Sequence, residues 1–296
     1  DNSSERGLAP ASAVGQAYLW NTAGSLLGSL TAGFVVLPVL GMQGGLQFVA
    51  ILATAAFLIE LKHTWVPGRQ AQAGLAYASA LALVTLALPQ NLLIKTLFGA
   101  NYEKTIFWGE DPYGTIALIP QFSEFENRDT NDLIVDGFNM MGNSIWAKRY
   151  AASLAAIPIL LHPHPDDVLV IAFGLGNTLS TAVGMQQTKN VDCVELSRMV
   201  VEASGHLDYV KKTLESPKLH IIFSDGRNYV STASKQYDVI TAEPPPPIHA
   251  GIVNLYSREY FLGCRRCLKR GGIVTHWLPV NQMSDFEART VIRACQ

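Results

Sequence analysis

A long stretch without charge most constrains what this chain can fold into. From Gly7 to Ile59 the sequence contains no Asp, Glu, Lys or Arg. Because a membrane-spanning helix needs about 20 consecutive apolar residues, this stretch is long enough for two spans. A proline and three glycines between Pro38 and Gly45 supply a break. We therefore predict two helices, at about residues 13–40 and 44–61.

A second run without charge extends from Gln70 to Ile94 and predicts a third span at residues 73–94. Residues 1–100 would then form the transmembrane domain of a multi-pass integral protein of the cell membrane, with the lipid bilayer as a partner. A buried helical core is the alternative, although a soluble domain seldom keeps so long a stretch without charge. The few Lys and Arg residues in the loops give opposing signals for orientation, so the side of the membrane is not assigned.

Charge and cysteine content exclude several functions. The net charge is −2 and no basic stripe is present, which argues against a nucleic-acid partner. Four cysteines are too few for a disulfide-stapled secreted fold. Cys264 and Cys267 have the spacing of half a zinc site, but no second pair or nearby histidine completes it, so we predict no bound metal.

The rest of the chain has the pattern of a water-soluble domain. Residues 101–143 predict a small β-hairpin element, and residues 144–296 predict short apolar strands that alternate with helices. Such strands form a parallel sheet that is covered on both faces. The predicted fold class is therefore α/β: a Rossmann-like, methyltransferase-type, doubly wound parallel sheet. Its strands are expected at residues 168–173, 191–196, 219–224, 238–242 and 272–279.

Glycines and carboxylates follow successive strands of this predicted sheet. The first strand ends in the turn Gly174-Leu-Gly176, the second in Glu195, the third in Asp225-Gly226 and the fourth in Glu243. Ligands of such sheets bind outside the carboxyl ends of the strands. There a glycine turn admits a ligand to the backbone, one carboxylate can accept both ribose hydroxyls, and another can accept an adenine amino group. Together these residues predict a nucleoside pocket.

Each of these residues also has a simpler interpretation. Gly174 and Gly176 can form a tight turn without a ligand, Glu195 can be a solvated strand end, and Asp225 can start a turn before Gly226. The third glycine of the dinucleotide fingerprint is missing, so NAD fits less well than a nucleoside.

Four segments lie at successive strands of the predicted sheet: Val168–Thr178, Val194-Glu-Leu-Ser197, Ser224-Asp-Gly226 and Tyr237-Asp-Val-Ile240. They resemble the core of the spermidine synthases, the aminopropyltransferase family. The hairpin that ends in Val135-Asp-Gly137 is similar to the small N-terminal β-domain of that family, and Asn254–Phe261 resembles its segment before the fifth core strand. The segment Asn21-Thr-x-Gly-Ser-x-x-Gly28, together with Glu243-Pro-Pro-Pro-Pro247, is similar to membrane-fused members in which transporter-like helices precede the synthase domain.

The resemblance implies transfer of an aminopropyl group from decarboxylated S-adenosylmethionine, as a co-substrate, to a small-molecule amine, in polyamine biosynthesis. Putrescine is the acceptor in that family, and no permanently bound cofactor is implied. Gly174 and Gly176 would line the nucleoside, Glu195 would hold the ribose, and Asp225, followed by Gly226, would meet the adenine. Glu243 stands where the family has a catalytic Asp.

The acceptor side departs from the family pattern. Tyr113-Gly114 stands where the family has Tyr-Gln, and Arg149-Tyr-Ala151 stands where it has Tyr-His-Glu. Two other functions therefore stay open: an S-adenosylmethionine-dependent methyltransferase on the same fold, and an inactive nucleoside-binding domain of a transporter or sensor. Because the chain lacks an initial Met and ends after the fifth predicted strand and one helix, we expect it to be a fragment, truncated at its C-terminus.

Overall fold

The computed structural model describes residues 5–63, 68–88, 92, 95–96, 103–247 and 251–296. The chain folds into two compact units, Asp1–Gly99 and Ala100–Gln296, and each is described by itself.

The N-terminal unit consists of long apolar helices. Helix α1 (Glu5–Thr31) continues through a π-helical turn, Ala32–Val36, into α2 (Leu37–His63), and α3 spans Gly68–Ala87. Within α2, Gly41 has a φ of 68°, a left-handed conformation that interrupts the helix inside the predicted break. The predicted break is therefore a single glycine rather than a loop, and the helices on either side of it follow one another without a connecting segment.

One helical stretch of the described residues, Ser12–Glu60, is long and apolar enough to cross a membrane, and Gln72–Ala87 is a shorter apolar helix. Most large apolar side chains of the longer stretch are exposed. The predicted spans 13–40 and 44–61 fall largely within it. The third predicted span, 73–94, overlaps α3 as far as Ala87, and several of its last residues lie outside the described residues.

The C-terminal unit begins with a four-stranded antiparallel sheet rather than the predicted hairpin. The hairpin corresponds to its two central strands, and a shorter strand pairs with each outer side. Asp136 and Gly137 have φ values of 51° and 79°, the positive values that a tight two-residue hairpin turn requires. The strands, in both chain and spatial order, are β1 (Phe107–Asp111), β2 (Gly114–Ser123), β3 (Arg128–Val135) and β4 (Phe138–Gly142).

A five-stranded parallel sheet forms the centre of this unit, as predicted. Its spatial order is β7-β6-β5-β8-β9, so the chain starts in the middle and winds outward first on one side and then on the other. All four pairings are parallel. The strands are β5 (Asp167–Ile171), β6 (Asn190–Glu195), β7 (Leu219–Phe223), β8 (Tyr237–Ala242) and β9 (Leu268–His276).

Helices connect these strands and cover the sheet. The described residues of this unit form seven α-helices, most of which alternate with the parallel strands, as predicted. They are α4 (Ile145–Leu161), α5 (Asn177–Gly184), α6 (Arg198–Ser204), α7 (Asp208–Leu214), α8 (Gly226–Thr232), α9 (Arg258–Cys267) and α10 (Asp285–Cys295).

Strand β5 shows why the sheet is doubly covered. Its four residues Val168–Ile171 are all buried and alternate between two hydrophobic cores. Val168 and Val170 belong to a core with residues of α4 to α7 and of the antiparallel sheet, whereas Leu169 and Ile171 belong to a core with residues of α8 and α9. Because successive side chains of a strand point to opposite faces, an apolar run predicts this arrangement.

A proline inside α4 helps to join this helix to the sheet. Pro158 has no backbone N–H, so the carbonyl oxygen of Leu154 lacks its usual helical donor. The hydroxyl groups of Thr241 on β8 and Thr275 on β9 donate to that oxygen at 3.2 and 2.8 Å. The carbonyl oxygen that Pro158 leaves without a helical donor therefore links α4 to β8 and β9.

Candidate active site

The predicted site residues lie at the carboxyl ends of the parallel strands. Strands β5 and β8 are neighbours in the sheet, and the chain winds outward from them in opposite directions. This is the topological switch point, where the loops diverge and leave a crevice for a ligand. The loop after β5 contains Gly174 and Gly176, and Glu243 directly follows β8.

The glycine turn after β5 has an unusual backbone. Ala172, Gly174 and Gly176 have φ values of 72°, 53° and 69°, and the N–H group of Gly176 donates to the carbonyl oxygen of Phe173 at 2.8 Å. A Cβ atom on Gly174 would lie 3.0 Å from the sulfur of Met141, on β4. The turn therefore requires glycine at residue 174 for both its conformation and its contact with the antiparallel sheet.

Glu195 is buried and is held by backbone donors. Its Oε2 accepts a hydrogen bond from the N–H of Phe173 at 2.8 Å, and its Oε1 accepts from Leu196 and Ser197 at 2.8 and 2.9 Å. Burial raises the pKa of the carboxyl group, while these hydrogen bonds oppose the rise and Asp111 adds to it. The carboxylate is thus tied directly to the glycine turn.

Asp111, the last residue of β1, links the antiparallel sheet to the segment that follows Glu195. Its Oδ2 accepts a hydrogen bond from the hydroxyl of Ser197 at 2.5 Å. Ser197 also caps α6, because its Oγ accepts from the N–H of Val200 at 3.2 Å. Sequence reasoning did not find Asp111, since β1 was not predicted.

Asp225 and Gly226 lie after β7 and have different surroundings. Asp225 is exposed and caps α8, its Oδ1 accepting from the N–H of Asn228 at 2.8 Å. Gly226 is buried, and a Cβ atom there would lie 2.7 Å from Cγ2 of Ile171. Gly226 therefore allows the start of α8 to pack against the end of β5.

Glu243 is buried, with 8 % of its surface exposed, and its two oxygens differ in their hydrogen bonds. Oε2 accepts from the hydroxyl of Thr178 at 2.6 Å. Oε1 has no partner of standard geometry among the described residues. Burial raises the pKa of this carboxyl group, while Thr178 and Tyr150 oppose the rise. A buried, unpaired carboxylate oxygen is costly, so this one is suited to an incoming N–H donor.

Uncharged aromatic side chains surround Glu243. The rings of Tyr150 and Trp277 are stacked with centroids 6.4 Å apart. The hydroxyl of Tyr256 donates toward the carbonyl oxygens of Pro244 and Pro245 at 3.3 and 3.1 Å, which fixes the proline segment after Glu243. Burial raises the pKa of both tyrosines, and the Glu243 carboxylate raises it further.

The residues that hold Glu243 had little signal in the sequence. Nothing in the sequence indicates that Thr178 and Tyr150 lie at the same carboxylate. Trp277 follows β9, where an aromatic residue is as common in a core as in a pocket.

Among the residues that the structure describes, no group of three His, Cys, Asp or Glu side chains could hold a metal ion.

The C-terminal unit, which contains these residues, is similar to known proteins. Residues 147–285 match the family model described as the spermine/spermidine synthase domain. A polyamine aminopropyltransferase of Methanocaldococcus jannaschii is 32% identical over 126 residues, covering 42% of this chain and 43% of the relative. Polyamine aminopropyltransferase 1 of Pseudomonas aeruginosa is 29% identical over 148 residues, covering 48% and 51%. The chain thus spans about half the length of these curated relatives.

Two solved structures have a fold similar to that of this chain. A spermidine synthase in complex with the transition-state analogue AdoDATO has a TM-score of 0.56 and 23% identity, covering 65% of this chain and 64% of that one. The spermidine synthase from Thermotoga maritima has a TM-score of 0.54, also at 23% identity. The segment that matches the spermine/spermidine synthase domain, residues 147–285, is the one that contains Glu195, Asp225 and Glu243.

Proposed function

We propose that this chain is an aminopropyltransferase, which transfers an aminopropyl group from decarboxylated S-adenosylmethionine to an amine acceptor in polyamine biosynthesis. The observation that carries the proposal is the buried Glu243 at the switch point of the sheet, whose Oε1 has no hydrogen-bond partner of standard geometry within the described part of the chain. The family match over residues 147–285 and the names of the relatives support it.

In this proposal the donor nucleoside occupies the ends of β5, β6 and β7. Gly174 and Gly176 line it, Glu195 accepts hydrogen bonds from the ribose hydroxyl groups, and Asp225, followed by Gly226, accepts a hydrogen bond from the adenine amino group. The hydrogen bonds that Glu195 accepts from the backbone of Phe173, Leu196 and Ser197 support a preformed ribose site. The donor is a co-substrate that leaves as product, so no permanently bound cofactor is needed.

The reaction needs a positioned amine and a group that takes its proton. A sulfonium is a good leaving group: the amine nitrogen forms a bond to the adjacent carbon, the carbon–sulfur bond breaks, and its electron pair stays on sulfur as methylthioadenosine. Amines of this kind have a pKa of about 10, so the acceptor arrives as an ammonium ion. Ionised Glu243 accepts its proton through Oε1, and the raised pKa of this carboxyl group makes it a stronger base.

The N-terminal unit is proposed to anchor this enzyme as a multi-pass protein of the cell membrane. We assign three spans, at about residues 13–40, 44–61 and 73–94, to a transporter-like domain of residues 1–100, followed by a β element at 101–143 and the synthase-like domain at 144–296. The long apolar stretch Ser12–Glu60 supports this assignment. The chain should remain in the membrane pellet after an alkaline carbonate wash, and its release into the supernatant would contradict the assignment.

The activity is tested with the purified chain, offered either decarboxylated or intact S-adenosylmethionine together with a panel of amines that includes putrescine. Mass spectrometry of the nucleoside products then identifies the reaction. Methylthioadenosine supports the proposal. S-adenosylhomocysteine would instead show a methyltransferase, and binding of a nucleoside without turnover would show an inactive binding domain.

A further inference from the structure

One face of strand β1 packs along helix α6. Phe107, Gly109 and Asp111 share this face, because alternate residues of a strand point to the same side. The ring centroids of Phe107 and of His206, two residues after α6, are 5.2 Å apart. A Cβ atom on Gly109 would lie 2.8 Å from the sulfur of Met199, the second residue of α6. Strand β1 therefore follows α6 closely toward its N-terminus, where Asp111 lies.

Ser197 links Asp111 both to α6 and to Glu195. The hydroxyl of Ser197 donates its single proton to Oδ2 of Asp111 at 2.5 Å, and its oxygen accepts from the N–H of Val200 at 3.2 Å. The N–H of Ser197 donates to Oε1 of Glu195 at 2.9 Å. Three groups thus hold this buried serine, and Asp111 is the one that belongs to the antiparallel sheet.

Asp111 is itself held by the turn that follows it. Its Oδ1 accepts a hydrogen bond from the N–H of Tyr113 at 2.8 Å, while its Oδ2 accepts from Ser197. The two oxygens therefore bind to the turn between β1 and β2 and to the start of α6. Because the turn orients the carboxylate, Asp111 fixes the direction in which the Ser197 hydroxyl donates and leaves the lone pairs of that hydroxyl for the helix cap.

The position of Ser197 decides how the Glu195 carboxylate is oriented. Backbone donors hold this carboxylate on both sides: Phe173 donates to Oε2, and Leu196 and Ser197 donate to Oε1. A shift of Ser197 would turn the carboxylate relative to the glycine turn. Hydrogen bonds weaken steeply when donor and acceptor are misaligned, so such a rotation would weaken the hold of Glu195 on a ligand hydroxyl.

We propose that Asp111 is a positioning residue of the donor site: acting through Ser197, it aligns the Glu195 carboxylate with the ribose hydroxyl groups of the nucleoside. The inference rests on the proposed aminopropyl transfer and adds a residue of the antiparallel sheet to its donor site. Asp111 acts on the ribose only through these two residues and takes no part in proton transfer. Its loss should therefore weaken donor binding and leave kcat nearly unchanged.

The test compares two ligands, methylthioadenosine and its 2′,3′-dideoxy analogue, which lacks both hydroxyl groups that Glu195 would hold. Calorimetry with the full chain measures a Kd for each. In the unmodified chain the analogue should bind about tenfold more weakly, or weaker still. In Asp111→Ala the ratio of the two Kd values should fall by about fivefold or more, because a misaligned Glu195 gains less from the hydroxyl groups. An unchanged ratio would overturn the role of Asp111.

Two further variants separate positioning from a loss of charge. Asp111→Asn keeps the size of the side chain and an oxygen that can accept from Ser197, so its ratio should stay within about twofold of the unmodified chain. Asp129→Ala removes the same charge from an exposed residue of β3 and should leave the ratio unchanged. Because each ratio is measured within one protein, a partial loss of folded material does not alter it. A fall in either variant as large as that in Asp111→Ala would overturn the positioning role.

Steady-state kinetics with decarboxylated S-adenosylmethionine and an amine acceptor give a second readout. In Asp111→Ala the KM for the donor should rise while kcat stays within about twofold, the pattern of a lost binding contact. A fall in kcat at an unchanged KM would contradict the inference while leaving aminopropyl transfer intact. If the unmodified chain neither binds methylthioadenosine nor forms it with any amine, the proposed function itself fails and the inference fails with it.

Discussion

The hydroxyl oxygen of Thr178 lies 2.6 Å from Oε2 of Glu243, although 65 residues separate them in the chain. The same hydroxyl lies 3.2 Å from the carbonyl oxygen of Ala151. A threonine hydroxyl has one proton, so it donates fully to one of these acceptors at a time. When Glu243 is ionised it accepts that proton. When Glu243 is protonated it donates to Thr178, which then donates to Ala151. Thr178 thus has a hydrogen-bond arrangement for each protonation state of Glu243.

Removal of this hydroxyl should change the pH dependence of the reaction. Thr178→Val deletes a hydrogen bond that favours the ionised form of Glu243, so its pKa should rise further. The acidic limb of the profile of kcat/KM should therefore move to higher pH, by roughly one unit for a hydrogen bond to a charged group. Thr181→Val is the matched control, because the Thr181 hydroxyl donates only to the backbone of its own helix. An unshifted limb in Thr178→Val would contradict this role.

Ionised Glu243 should lower the free energy of unfolding at neutral pH. The pKa of Glu243 is raised in the folded chain above its ordinary value of 4.5, so the folded state holds this proton more tightly than the unfolded state does. Stability is therefore lost as pH rises through and above 4.5. Glu243→Gln should stabilise the chain by about 1–3 kcal/mol at pH 7.5, the range for a buried unsatisfied group.

This gain should disappear below about pH 4.5, where Glu243 is protonated in both states. Thermal unfolding of the detergent-solubilised chain at several pH values measures it. Glu215→Gln, at an exposed residue, is the control. Equal unfolding temperatures of Glu243→Gln and the unmodified chain at pH 7.5 would contradict an unfavourable buried charge.

A side chain on the glycine turn should weaken binding of the nucleoside. Gly174 has a φ of 53°, where alanine costs roughly 1–2 kcal/mol, and its added Cβ would press on the sulfur of Met141. Gly174→Ala should raise the Kd for methylthioadenosine about tenfold or more by calorimetry, because the turn moves away from the ligand. Gly184→Ala, at a helical glycine with open space around it, should bind normally. Unchanged binding by Gly174→Ala would exclude the turn from the nucleoside site.

The two threonines that bond to Leu154 should act as a coupled pair. Either Thr241 or Thr275 alone still satisfies this carbonyl oxygen, so each single substitution to valine should cost about 1 kcal/mol or less. The double variant leaves the oxygen without a donor, so it should cost more than the two single variants together. A double-mutant cycle of unfolding free energies measures the excess. Strict additivity would show that the threonines do not share this acceptor.

The parallel sheet could be predicted from the sequence because its strands are buried on both faces. Val168 to Ile171 form a continuous apolar run between polar loops, and the order of strands and helices then implies the crossovers. The outer strands β1 and β4 have five residues each and carry polar or flexible side chains such as Glu110 and Met141, which give no alternating pattern. Their strand structure comes from pairing with β2 and β3.

The candidate site could also be predicted only in part from the sequence. Glu195, the last residue of β6, and Glu243, which follows β8, could be located because the sheet topology fixes where strand ends meet. Their partners could not be predicted, since Thr178 on α5 and Tyr150 on α4 approach Glu243 only through packing of these helices on the sheet. The sequence therefore indicates which carboxylates share an edge but not which of their oxygens is unpaired.

The most direct test is the rate of methylthioadenosine formation from decarboxylated S-adenosylmethionine and an amine, with Glu243→Gln compared to the unmodified chain. Glutamine keeps the size of the side chain but cannot accept the amine proton, so kcat should fall by about 10²–10⁴. The Kd for methylthioadenosine should stay within about twofold, because the donor site uses other residues. An unchanged kcat in Glu243→Gln would contradict the assignment of this carboxylate as the proton acceptor.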